Sequence, residues 1–159
     1  MNKCNVDTDD DQAIKVIKDG INEGYKQVAR ESKPVTTATI TPVNKLISLP
    51  DDILEILNID PPLSDTDQLL GNNIITDKVD ALTFIYSYLP DDMVKDKDEP
   101  EIPLKYHSLL VAFGCYKYYQ FKKKNDVAAD YYNNFKSDLN NLRTTNYSGD
   151  SIQAVYSLW

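Results

Sequence analysis

The chain has 159 residues, 42% of them apolar and 26% charged, near globular averages, which excludes a disordered chain and a coiled-coil rod. That length holds one domain and buries about 68–70% of the surface its unfolded chain exposes, enough for a core without staples. Lys and Arg number 17 against 25 Asp and Glu, a net charge of −8. Such a balance repels phosphates and argues against general nucleic-acid binding.

Eleven Tyr against four Phe and one Trp is the unusual feature. Tyrosine joins an apolar body to a polar tip and suits surfaces that become buried on assembly. Cys4 and Cys115 lack the spacing of a disulfide framework or a zinc site, and a reduced, intracellular environment is the simpler reading. The opening MNKCNVDTDDDQ has no apolar h-region and does not read as a signal peptide. Residues 104–121 are the most apolar stretch, but Lys105, His107, Lys117 and Gln120 interrupt it, so no membrane span is expected.

In chain order, residues 1–11 read as a flexible acidic start, with Asp7, Asp9, Asp10 and Asp11 complementing a helix N-terminus. Ile14, Ile17, Ile21, Tyr25 and Val28 then mark one face of an amphipathic helix running to about Glu31. Gly20 and Gly24 weaken that helix by roughly 1 kcal/mol each relative to Ala. Their spacing either admits a closely packed backbone or is merely tolerated. Residues 35–41 and 46–49 are β-branched or alternating and read as strands. Pro50-Asp-Asp before Ile53 and Leu54 reads as the start of a brief helix over 50–57. Residues 58–73 carry dense turn signals, and 74–76 and 82–88 are the next strands.

Pro103 opens a helix over 104–123 that is apolar nearly all the way round, which places it in a core or against neighbouring subunits. Lys122-Lys-Lys124 closes it with the charge sign that a helix C-terminus favours. Asn125 or Asp126 caps a last helix with the stripe Ala128, Tyr131, Phe135, Leu139 and Leu142. Beyond Arg143 the helical period fades, and the chain ends on Val155, Tyr156, Leu158 and Trp159. The fold class expected is mainly α (α+β): a bundle of about three to four helices with a small β element in mid-chain and an extended C-terminal arm. The organisation expected is a flexible start over 1–11, a single helical domain over 12–143 with a β insertion at about 35–90, and an arm over 144–159.

No motif for catalysis appears. Asp7, Asp9 and Asp11 have the first spacing of a calcium loop, but Gln12 and Lys18 stand where Gly and a bidentate Glu belong. His107, the single histidine, has no nucleophile elbow and no ligand cluster to join, and reads as a packed or capping residue. Five scattered glycines make no phosphate-cradling loop. The pairs Asp51/Asp52 and Asp91/Asp92 each follow Leu-Pro and start a turn or helix. Lys122–Lys124 beside Tyr118, Tyr119 and Phe121 could grip a single strand, but a solvated helix end accounts for it better. No cofactor, metal or enzymatic activity is expected.

Several segments together carry a resemblance. They are Ile-Asn-Glu-Gly-Tyr at 21–25, Ile-Ser-Leu-Pro-Asp-Asp at 47–52, and Ile-Pro-Leu-Lys-Tyr-His at 102–107 opening an aromatic helix. The last is Asp-Val-Ala-Ala-Asp-Tyr-Tyr-Asn-Asn-Phe at 126–135. Over residues 12–142 the chain resembles the head–tail connector (adaptor) proteins of tailed bacteriophages. The resemblance implies a mostly helical domain with a small β element and no catalysis. It implies a virion protein at the head–tail junction, made in the host cytoplasm, that assembles as a homo-oligomeric ring of about twelve copies closed by rotation. The implied partners are the portal protein and a downstream neck or tail protein, with DNA passing through unbound and no membrane.

On that reading the arm residues Tyr147, Ile152, Val155, Tyr156, Leu158 and Trp159 dock on the portal, or pack back on their own domain. Leu109, Phe113, Tyr116 and Tyr119 are the candidates for subunit contacts. The alternatives are another neck or tail-completion protein and, from a different class, a cytoplasmic helical regulatory or ligand-binding module with a small-molecule pocket among the tyrosines. A metal-dependent enzyme using scattered carboxylates comes third.

Overall fold

A computed structural model describes residues 10–95 and 97–147, without the side chains of 145–147. The described residues form two compact units, one from α1 together with the chain after residue 90, the other from residues 33–90.

In the first unit, α1 (Asp11–Ser32) begins where Asp10 Oδ1 accepts the N–H of Ala13 at 2.9 Å. This is a side-chain N-cap that satisfies one orphan donor. A 3₁₀ turn (Leu104–Tyr106) leads into α2 (His107–Phe121), and α3 (Asn125–Tyr147) completes the unit. The helix expected over 104–123 is thus α2 with its 3₁₀ lead-in, and α3 continues past Arg143, where the apolar period fades. Helices α1 and α2 run antiparallel, since Gly24 meets Phe113 while Gly20 meets Lys117. Rings of α2 and α3 also pair in opposite order, Phe113 with Phe135 and Tyr119 with Tyr131. Ala13, Tyr25, Val28, Leu109, Phe113, Phe135 and Leu142 are among its buried residues.

The glycine spacing has a definite role. A Cβ on Gly24 would lie 2.8 Å from Phe113 Cβ, one on Gly20 2.9 Å from Lys117 Cβ, and one on Gly114 2.9 Å from Ile21 Cγ1. Of the two readings for Gly20 and Gly24, close approach of a neighbouring helix holds.

The second unit contains β1 (Val35–Ile40), β2 (Leu46–Ser48), β3 (Ile53–Asp60), β4 (Gln68–Leu70), β5 (Asn73–Ile75) and β6 (Leu82–Tyr88). They form two antiparallel sheets in the orders β1-β6-β3 and β2-β5-β4. Ile47, Leu49, Ile74, Leu82, Phe84 and Tyr86 make one buried cluster between them. Gly71, at φ +59°, sits in the turn joining β4 to β5, a left-handed position that favours glycine.

The expected fold class is corrected here. The described chain is not a bundle of three to four helices carrying a small β element. It is an α+β structure of three α-helices and two three-stranded antiparallel sheets, the sheets sharing a core of their own. The brief helix expected over 50–57 is the start of β3. Register shifts between Ile53 and Glu55 and between Ile56 and Asn58 insert an extra residue twice, as β-bulges do. Ile53, Ile56 and Ile59 therefore all face the core opposite Tyr88, Tyr86 and Phe84. Pro50-Asp-Asp, which suits the first turn of a helix, here makes the turn that enters the strand.

Candidate assembly surface

The α2–α3 seam gathers the aromatic residues of the helical unit. Phe113, 2% exposed, meets Phe135 edge-on at 4.7 Å and Tyr116 edge-on at 5.3 Å. Outward along the seam, Tyr116 lies 4.8 Å from Tyr132, Tyr119 stacks on Tyr131 at 5.5 Å, and Tyr118 touches Tyr119 edge-on at 5.2 Å. Offset and edge-on ring pairs each add about 0.5–1.5 kcal/mol beyond area burial. The ammonium groups of Lys117 and Lys136 sit 5.6 Å from Tyr116 and 5.2 Å from Tyr132. Tyr116, Tyr119, Tyr131 and Tyr132 are all half-buried, so their rings are held while part of each faces outward. A preformed row of rigid amphipathic rings is the side-chain chemistry of a protein interface.

Of the four residues expected at subunit contacts, Leu109 and Phe113 are 3% and 2% exposed and pack inside their own helical unit. Tyr116 and Tyr119 lie on the seam. Sequence reading missed the two rings that complete them. Tyr132 falls outside the stripe expected for α3, and Tyr131 belongs to that stripe without being singled out for subunit contacts. The one sequence signal for them is the adjacent Tyr131-Tyr132 pair, in a chain whose preceding helix is also rich in tyrosine. The arm residues Ile152, Val155, Tyr156, Leu158 and Trp159, with the side chain of Tyr147, lie outside the described residues.

The segment over 21–25 is engaged throughout. Asn22 Nδ2 donates to the Met93 carbonyl at 3.0 Å, while Asn22 Oδ1 accepts the Met93 N–H at 2.9 Å. Lys117 forms an ion pair with Glu23 at 2.7 Å. The hydroxyl oxygen of Tyr25, 1% exposed, accepts the Glu101 N–H at 2.6 Å. Burial pushes the Tyr25 hydroxyl above its ordinary pKa of 10.0, the Glu101 N–H working against that shift and the Glu101 carboxylate with it. Together these contacts hold the acidic loop over 91–102 on α1.

His107 Nε2 donates to the Ile102 carbonyl at 3.1 Å, a carbonyl having no proton to give, so it serves as a packed, tethering residue. Lys122 pairs with Asp10 at 2.7 Å. The packed role expected of His107 agrees with its contact, whereas Lys122, expected at a solvated helix end, is tied to the residue that caps α1. Among the described residues no cluster of His, Cys, Asp or Glu is arranged to hold a metal ion. No described helix is long and apolar enough to cross a membrane.

No curated protein matches the chain significantly. The family model described as SU10 adaptor protein matches residues 69–155, more than half of the chain and all of α2 and α3. This agrees with the resemblance to phage head–tail adaptors carried by residues 102–107 and 126–135, and the chain belongs to the SU10 adaptor protein family.

Proposed function

We propose that the protein is a structural component of a phage virion that joins the portal vertex of the capsid to the tail. In this reading copies close into a ring of about twelve by heterologous, rotating contacts, and DNA passes through it without specific binding. The observation that carries the reading is the family match over residues 69–155. The half-buried tyrosine row of α2 and α3 supports it as a surface for subunit contacts, through Tyr116, Tyr119, Tyr131 and Tyr132. The C-terminal segment expected as an arm over 144–159, whose residues 144–147 are the last turn of α3, docks on the portal through Tyr147, Ile152, Val155, Tyr156, Leu158 and Trp159. Its apolar and aromatic side chains fit an ordered-on-binding anchor. A downstream neck or tail protein is the second partner.

The test is the mass of complexes by light scattering, with full-length protein and a chain ending at Thr145, each alone and mixed with the portal protein. Portal-bound rings formed by the full chain and absent with the truncated one are the expected result. A full-length chain that ignores the portal overturns the reading.

One observation favours a second reading as a ligand-binding module. The helical unit holds a cleft of about 370 Å³, a volume within the range of small-molecule sites. Ile21, Leu110 and Val111 are on its apolar side and Lys18, Asp98 and His107 among its polar lining, while none of the described tyrosines, expected in such a pocket, lines it. Under that reading a small ligand with an apolar body and a polar end raises the melting temperature, and Val111→Asp removes the shift.

A further inference from the structure

The unit over 33–90 has four strand edges, and three are blunted in recognisable ways. Strands β2 and β4 are three residues each. Strand β3 carries two register shifts against β6 and the charged residues Glu55 and Asp60. Short strands, bulges and edge charges are the devices by which proteins suppress edge-to-edge pairing. Strand β1 has none of them. Its six residues Val-Thr-Thr-Ala-Thr-Ile carry no charge and no proline, and their register with β6 is continuous from Val35↔Ser87 to Ile40↔Leu82.

The direction of its free backbone groups follows from the ladder. Tyr88 N–H donates to the Pro34 carbonyl at 3.0 Å, so residues 34, 36, 38 and 40 turn their polar groups toward β6. In an antiparallel pair these roles alternate. Val35, Thr37 and Thr39 therefore aim their N–H and C=O groups away from the sheet, and β1 pairs with β6 alone among the described strands. The side chains of the same three residues are exposed, Val35 to 55%.

We propose that β1 is a self-pairing edge and that its occupant in the unassembled protein is β1 of a second copy, antiparallel about a two-fold axis at Thr37. The argument is complementarity of this one strand with itself. With Thr37 opposite Thr37 of the partner subunit, Val35 lies opposite the partner's Thr39, and every outward N–H and C=O of the three residues finds a mate. Directly opposed residues share a face, so Thr meets Thr and Val meets Thr on the exposed side, both favourable cross-strand pairs. No like charges are opposed, as they would be if β3 paired with itself through Glu55. The contact joins two three-stranded sheets into one of six strands.

This goes beyond the adaptor reading. A two-fold contact pairs copies and stops, whereas a ring grows head to tail. The pair is thus a form of the free protein, covering a sticky edge until assembly separates it.

The experiment is light scattering on the full chain over a concentration series to about 200 μM, with Thr37→Lys, Thr37→Pro and Thr37→Val and no portal present. Thr37→Lys sets two cations face to face and leaves every backbone group in place. Thr37→Pro removes an N–H that points away from β6. Expected are a mass approaching twice 18.1 kDa for wild type and Thr37→Val, and a single-chain mass for Thr37→Lys with an unchanged circular dichroism spectrum. Thr37→Pro behaves likewise if folded; if it unfolds, Thr37→Lys decides. A wild type that stays single, or any self-association that Thr37→Lys leaves intact, overturns the proposal. So does a pair abolished by ending the chain at Tyr147 while Thr37→Lys retains it. Portal binding is scored separately, so loss of this proposal and loss of the adaptor reading are distinct results.

Discussion

The hydroxyl oxygen of Tyr25 accepts the backbone N–H of Glu101 at 2.6 Å, across 76 residues of sequence. One turn earlier on α1, Asn22 exchanges two hydrogen bonds with the backbone of Met93. Two side chains of a single helix thus hold both ends of the loop that leads into the aromatic helices.

Tyr25→Phe keeps the buried ring and removes the acceptor. It is expected to cost about 0.5–1.5 kcal/mol, the ordinary worth of such a bond, and to lower Tm by about 2–4 °C per kcal/mol. Asn22→Ala frees both polar groups of Met93. Hydrogen exchange at the Met93 amide should then accelerate while exchange along β6, in the other unit, is unchanged.

Gly24→Ala tests the close packing of α1 on α2. Its methyl would stand 2.8 Å from Phe113 Cβ, so α1 and α2 must separate or Phe113 must shift, at an expected cost of about 1–3 kcal/mol. That outweighs the roughly 1 kcal/mol by which Ala is the better helix former. Denaturant unfolding should show a lower midpoint. A midpoint that rises would mean that the helix surfaces are not in contact there.

Lys123→Gly should stabilise the chain. Lys123 has φ +55°, its N–H reaches the Gln120 carbonyl at 3.0 Å, and the N–H of Lys124 reaches the Tyr119 carbonyl at 2.9 Å. This is the helix-ending geometry in which glycine normally occupies the left-handed position. A side chain with a Cβ loses about 1 kcal/mol in that conformation, so a gain of that order in unfolding free energy is the expected readout.

Stability should fall in acid through named carboxylates. Asp98 Oδ2 accepts the N–H groups of Lys95 at 2.7 Å and Val94 at 2.8 Å, and those bonds hold its carboxyl below the ordinary 3.8. Asp67 is lowered first by the Ser64 N–H, and Asp10 first by its hydrogen bond from Lys122. A carboxyl whose folded pKa is depressed contributes stability above its unfolded pKa and loses it as pH falls through the folded value. Tm should therefore be flat down to about pH 5 and drop below about pH 4. Asp98→Asn, lacking the charge in both states, should make that drop shallower.

Much of the helical unit could be read from local pattern. The start of α1 after an acidic run follows from a cap within one element, and α2 from its proline lead and apolar content. Helix α3 follows from its apolar stripe, although it begins at Asn125 with Lys124, rather than Asn125 or Asp126, in the cap position. Strands β1, β2 and β6 were legible for the same reason, their β-branched or alternating residues needing no knowledge of a partner. The shared adaptor family was legible too, in segments at 102–107 and 126–135 that fall within the matched residues.

What the tertiary structure alone decided depended on partners distant in sequence. Residues 50–57 read as a helix because Pro50-Asp-Asp suits a first helical turn. Only pairing with β6, through two bulges that put Ile53, Ile56 and Ile59 on one face, makes β3 a strand. The role of Gly20 and Gly24 stayed open until α2 lay against them, since a glycine does not specify what occupies the space it leaves. Among the tyrosines, composition announced an aromatic surface, but which rings met could not be read along one helix. Tyr116 with Tyr132 and Tyr119 with Tyr131 exist as pairs only once α2 and α3 run antiparallel. Local sequence set periodicity and chain punctuation; distant packing set register, close approach and which side of each helix remained outward.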